Sequence, residues 1–168
     1  MGGTLRALVA DGTLATTARK ALDAVRRAAD LICRTYLDGT RRVIDAGSPE
    51  MNMAVSHVMA ELHRRTGGPR YLELVRQIEK DWERSGDYLR TGLSGVPFYK
   101  TPLPRWESLH DLQTLVELWR LTGDPRYREA FASHWRTIRE HDVRRCPWAF
   151  LDEDYSVPRG TEIGRAHV

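Results

Sequence analysis

Thr66-Gly67-Gly68-Pro69-Arg70-Tyr71 returns as Thr122-Gly123-Asp124-Pro125-Arg126-Tyr127, the same turn 56 residues later. Each copy puts a glycine where one helix ends, since glycine enters the left-handed conformation freely. Each puts a proline where the next begins, since the first N–H of a helix has no partner to lose. A fainter copy, Asp11-Gly12-Thr13, lies 55 residues before the turn at Gly67, and Tyr36-Leu37 returns as Tyr88-Leu89 after 52. A period near 55 residues holds two helices, so the chain reads as a series of helical hairpins.

The apolar spacing agrees. Met51, Ala54, Val55, Val58, Met59 and Leu62 fall on one predicted helical face, opened by Ser48-Pro49-Glu50 as a cap, a first-turn proline and an acid. After Pro69 the stripe is Tyr71, Leu74, Val75, Ile78 and Trp82. The next unit repeats the pattern with Leu109, Leu112, Leu115, Val116 and Trp119, then Tyr127, Ala130, Phe131, Trp135 and Ile138. Trp82, Trp119 and Trp135 are predicted to be core by this spacing. A first helix runs from about Thr17 to Thr35 through Ala18, Ala21, Leu22, Val25, Ala29, Ile32 and Cys33. No segment sustains strand alternation. The expected class is all-α, helical hairpins forming part of an (α/α)6 toroid, about two and a half of its six hairpins, over residues 1–145.

The stretch 146–161 loses the helical rhythm and reads as a loop. Residues 162–168 read as translated sequencing adapter: Ile163-Gly164-Arg165-Ala166-His167-Val168 back-translates to ATC GGA AGA GCA CAC GTC. The chain is therefore expected to be a piece of a longer domain, with apolar helix faces short of their neighbours.

Composition narrows the partners. The net charge is +3, and the basic residues are interleaved with acids, as in Arg76-Gln-Ile-Glu-Lys-Asp-Trp-Glu-Arg84. Mixed charge of this kind makes solvated helix faces rather than a nucleic-acid surface. No apolar run is long enough to span a bilayer, and the start lacks the apolar core of a secretory signal. With Cys33 and Cys146 solitary, a reducing, cytoplasmic setting with thiols fits better than a disulfide framework. Oligomeric state is not readable.

The Thr-Gly turns are short, whereas the links 36–48 and 87–105 are long and rich in Gly, Pro and aromatics. In stacked hairpins the long links share one rim, which is where a binding face belongs. Ser48-Pro-Glu-Met-Asn-Met-Ala-Val-Ser-His57, the two Thr-Gly turns and Arg105-Trp-Glu-Ser-Leu-His-Asp-Leu-Gln113 together resemble the six-hairpin glycosidases. Within them, the resemblance is closest to the β-L-arabinofuranosidase-like group, glycoside hydrolase family 127 and its relatives. It implies an (α/α)6 catalytic domain followed by β-sandwich regions, acting on glycosidic bonds in a carbohydrate substrate. It also implies a cysteine nucleophile in a zinc site of further cysteines and a glutamate, from Glu-Thr-Cys-like and Cys-Cys motifs. Neither motif occurs here, so no catalytic residue is carried over, and zinc is an expectation for the full-length protein only. The family's histidines near inner-helix starts fall about three positions from His57 and His110.

Arg105, Trp106, Glu107, His110 and Asp111 gather where a long link enters a helix, with Glu107, His110 and Asp111 at i, i+3, i+4. Sugar sites use this mixture: an aromatic plane for the ring face and charged or imidazole groups for hydroxyls. Hydrolysis usually takes two carboxylates, so Glu107 would need a partner from another hairpin. The plainer account is that Glu107 and Asp111 favour a helix N-terminus while Trp106 staples it. Glu50, Asn52 and His57 open the neighbouring helix, where Glu50 also reads as ordinary capping and His57 as a hydrogen-bonded structural histidine. Tyr88, Phe98 and Tyr99 either stack on sugar or fill the link's own core. His57, His110 and His134 lack metal-ligand spacing, so no metal site is assigned. The competing accounts are a non-catalytic α-solenoid that binds a protein, and a sugar epimerase or isomerase on the same toroid.

Overall fold

The computed structural model describes residues 13–102 and 107–142 and divides the chain into two units, 1–40 and 41–168. In the first, helix α1 spans Thr13–Tyr36. Ala29 and Cys33 of its predicted stripe are buried, whereas Leu22 and Val25 are exposed. The helix starts four residues before Thr17.

In the second unit the helices are α2 (Pro49–Met53), α3 (Val55–Thr66), α4 (Pro69–Asp81), α5 (Tyr88–Leu93), α6 (Ser108–Thr122) and α7 (Pro125–Thr137). No β-strand occurs among the described residues, and the all-α expectation holds. Both Thr-Gly turns form as read. Gly67 and Gly123 end α3 and α6 at φ 71° and 72°, and their N–H groups return to the His63 and Trp119 carbonyls. Pro69 and Pro125 stand in the first turn of the following helix, and the Asp124 carboxylate accepts from the Arg126 N–H as a cap.

Helix α3 packs on both α4 and α6, and α6 packs on α7. Contacts between α3 and α6 advance along both helices together: His57 with His110, Ser56 with Asp111 and Thr114, Arg64 with Glu117. The two helices are therefore parallel, each entered from a long link and left through a Thr-Gly turn. Leu74, Val75 and Ile78 of α4, with Leu115 and Leu118 of α6, are fully buried. Each large aliphatic side chain so placed contributes about 1.5–3 kcal/mol. Helices α4 and α7 are tied across by Arg76 and Glu79 of α4, which both hydrogen-bond the Tyr127 hydroxyl at 2.7 and 2.6 Å.

Three predicted core positions of the second unit are corrected. The helix read across 49–66 breaks at Ala54, so the stripe from Met51 to Leu62 crosses two helices, and Met51 and Val58 are exposed at 55% and 45%. The buried face of α3 is Ser56, Met59, Ala60 and Leu62. Trp135 is 48% exposed and stacks on Phe131, while α7 buries Tyr127, Ala130, Ser133 and His134. Trp82 is buried as expected, and Trp119 is half-buried with the Arg128 guanidinium over its ring.

The links are more ordered than their composition suggests. Link 36–48 carries a short 3-10 turn (Val43–Asp45), held by the Arg42–Asp81 ion pair at 2.9 Å. Link 87–105 contains α5 and a second such turn (Phe98–Lys100). Helix α5 crosses α7 so closely that a Cβ on Gly92 would lie 2.7 Å from the Ala130 carbonyl oxygen.

Candidate functional site

The N-terminal turns of α3 and α6 lie side by side at the link end of the helices. Each presents a histidine as its third residue. The His57 and His110 rings are 6.0 Å apart between centroids and 21° from coplanar. His110 is exposed, and its Nδ1 lies 3.0 Å from Gln113 Oε1. In that arrangement Nδ1 donates and Nε2 is left to meet a ligand. His57 is half-buried, and its pKa is lowered by burial first and by the facing His110 second, with Glu61 and Glu117 opposing. Imidazoles set side by side in this way can accept and donate hydrogen bonds, which suits hydroxyl groups.

Behind the pair lies a buried polar network. Asp111 follows His110 in α6 and is fully buried. Its Oδ1 lies 3.2 Å from Ser56 Oγ and accepts from the Trp82 indole N–H at 3.1 Å. Ser56 Oγ is 2.7 Å from Thr114 Oγ1, which in turn is 2.9 Å from the His110 carbonyl oxygen. Burial pushes the Asp111 carboxyl up to about 7, against the opposing effect of its hydrogen bonds with Trp82 and Ser56. Trp82 meets Tyr88 edge to face at 5.8 Å, and the Tyr88 hydroxyl donates to Ser108 Oγ at 2.8 Å. His134 Nε2, at 2.8 Å, donates to the Tyr88 carbonyl, and burial lowers the pKa of its imidazole, against the opposing hydrogen bond to Tyr88.

The remaining candidates fall as follows. Glu107 is the half-buried N-cap of α6, so the helix does begin where the sequence suggested, yet His110 faces outward while Asp111 faces the core. Asn52 sits in α2 and spends its amide on the Ala46 carbonyl at 2.9 Å, bracing link 36–48. Glu50 is in α2, with its side chain outside what the structure describes; Arg105 and Trp106 lie outside the described residues. Tyr99 meets the His141 ring at 5.2 Å and the Lys100 ammonium, at the far end of α7. Tyr88 and Phe98 are fully buried, which makes them core of link 87–105. The sequence reading missed Ser56, Ser108 and Thr114. Their signal is small hydroxyl residues on the faces that bring α3 and α6 together.

No group of three or more His, Cys, Asp or Glu among the described residues could hold a metal ion. A family-type zinc site is therefore not supplied by these residues. No described helix is long and apolar enough to cross a membrane.

No curated protein sequence and no solved structure matches the chain. A family model does: the β-L-arabinofuranosidase, GH127 catalytic domain matches residues 1–144, from the N-terminus through both Thr-Gly hairpins and past α7. The chain belongs to the GH127 β-L-arabinofuranosidase catalytic-domain family.

Proposed function

We propose that this chain supplies one wall of the sugar-binding cleft of a glycoside hydrolase built on an (α/α)6 toroid. The observation that carries the reading is the His57–His110 pair, two imidazoles set side by side at the same position of parallel helices. Such a pair can bridge neighbouring hydroxyls of one sugar ring. Glu107 caps the same helix end and offers a carboxylate, while Arg105 and Trp106 precede it in the same link. Asn52 braces link 36–48 through the Ala46 carbonyl, Glu50 lies beside it in α2, and Tyr99 lies in link 87–105. Membership of a glycosidase family favours this account over a partner-binding solenoid.

Hydrolysis requires groups beyond these. A second carboxylate or a thiolate nucleophile has to face Glu107, and zinc belongs to whatever part of the full-length protein provides the cysteines. The chain by itself is expected to bind sugar without cleaving it, in a cytoplasmic setting that keeps the Cys33 thiol reduced.

The test is binding of methyl β-L-arabinofuranoside to the chain, followed through the histidine ring signals in NMR. Millimolar binding that perturbs His57 and His110, and weakens about tenfold or more in His57→Ala and His110→Ala, is expected; a tenfold loss is one hydroxyl-imidazole hydrogen bond. Binding that ignores both substitutions, or no binding, removes the proposed wall.

A further inference from the structure

The polar network behind the histidines has more contacts than its hydroxyls have protons. Three contacts run in sequence: Asp111 Oδ1 to Ser56 Oγ, Ser56 Oγ to Thr114 Oγ1, and Thr114 Oγ1 to the His110 carbonyl. Each needs one proton. Ser56 and Thr114 bring one apiece, and the carbonyl brings none. If Thr114 donates to His110 and Ser56 to Thr114, the remaining contact needs its proton from Asp111. An ionised Asp111 would leave one contact of the three unmade. It would also leave a charged Oδ2 buried, with no hydrogen-bond partner among the described residues. The groups that meet the carboxyl, Ser56 of α3 and Trp82 after α4, are uncharged.

We propose that Asp111 is a positioning residue, a neutral carboxyl donating through Ser56 and Thr114 to the His110 carbonyl and so fixing the spacing of the His57–His110 pair. Ser56 adjoins His57 in α3, and Asp111 adjoins His110 in α6, so the donor chain joins the two helix turns that carry the rings. Trp82 holds the carboxyl from the side of α4, which sets its rotamer. Asp111 therefore makes no contact with substrate and does no acid or base chemistry. Its bearing on sugar recognition rests on the function proposed above, whereas its hold on the histidines does not.

The experiment is NMR titration of the histidine rings in the full chain, wild type against Asp111→Ala, Ser56→Ala and Asp111→Asn. The charged or titrating groups acting on His57 are His110 and Glu117 of α6 and Glu61 of its own helix, and all three are retained in every variant. Loosening the pair solvates His57 and moves it from His110, so its pKa should rise toward 6.5 in Asp111→Ala and in Ser56→Ala. Asparagine with its amide nitrogen toward Ser56 keeps that donor but loses the acceptor for the Trp82 indole, so it should return His57 part of the way to its wild-type titration. A purely structural role would lower thermal stability in these variants and leave the His57 titration where it was. An unchanged His57 titration in folded Ser56→Ala overturns the proposal, even where Asp111→Ala fails to fold. An Asp111→Asn curve that matches Asp111→Ala overturns the donor role. No arabinofuranoside binding by the wild-type chain, with the His57 shift still seen in the variants, refutes the sugar wall and leaves the positioning role standing.

Discussion

Asp111→Asn should change the pH dependence of stability in one direction and by a calculable amount. The ordinary value for the carboxyl is 3.8, and burial holds it at about 7 in the folded chain. Below about pH 4 both folded and unfolded chains carry the proton, and the stabilising contribution is complete. As pH rises, the unfolded chain ionises first and binds fewer protons than the folded one, so stability falls. The fall ends once the folded carboxyl also ionises, near pH 7. Three pH units at 1.36 kcal/mol each amount to about 4 kcal/mol. Asparagine does not titrate, so wild type minus Asp111→Asn isolates this term. His134 and His57 slope the other way, because a lowered imidazole pKa loses stability as pH falls below 6.5. Both are present in both proteins and cancel in the difference. Urea unfolding followed by helical circular dichroism and tryptophan fluorescence, at one-unit steps from pH 4 to 8, gives the two curves. The wild-type advantage should shrink by about 4 kcal/mol across that range. A flat difference would mean that Asp111 ionises equally in both states. A difference that grows with pH would mean a stabilised carboxylate, and either result refutes the neutral donor.

Two further outcomes test the fold on which the site stands. Gly123→Ala keeps open space around its new methyl but forces alanine to φ 72°, so it should cost about 1 kcal/mol in chemical denaturation; an unchanged midpoint would mean that the turn relaxes out of the left-handed region. Gly92→Ala drives a methyl into the Ala130 backbone and should cost about 1–3 kcal/mol, displacing α5 from α7; a stability equal to wild type would show that the close crossing is dispensable.

The helix ends were readable because their chemistry is local. A glycine followed two residues later by proline fixes both ends of a turn whatever packs around it, and Gly67–Pro69 and Gly123–Pro125 form as read. The helical stripes were read from apolar residues alone, and that is where the sequence misled. Residues 49–66 carry one uninterrupted apolar pattern, but the break at Ala54 resets the phase, leaving Met51 and Val58 outside and Ser56 inside. On α7 the large residues Phe131 and Trp135 outbid their neighbours by size, yet the buried face lies about 100° away, one residue's rotation of the helix. There α5 crosses with Gly92 against Ala130, and the close approach needs small side chains, not large ones.

The same selection for small residues explains the site. Parallel helices that pass close enough to stack His57 on His110 leave room between them for serine and threonine but not for leucine. Each such residue brings a hydroxyl into the core that has to be hydrogen-bonded. Ser56 and Thr114 meet that need with each other and with Asp111, so the carboxyl is in the core because the helices approach closely there. In the sequence, Asp111 beside His110 looks like one polar cluster at a helix start. One residue's rotation of α6, about 100°, separates their roles: His110 faces outward to whatever binds, and Asp111 faces inward to Ser56 and Trp82. Only the parallel pairing of α3 with α6 assigns one residue to recognition and the other to its support, and that pairing depends on contacts 53 to 58 residues apart in the chain.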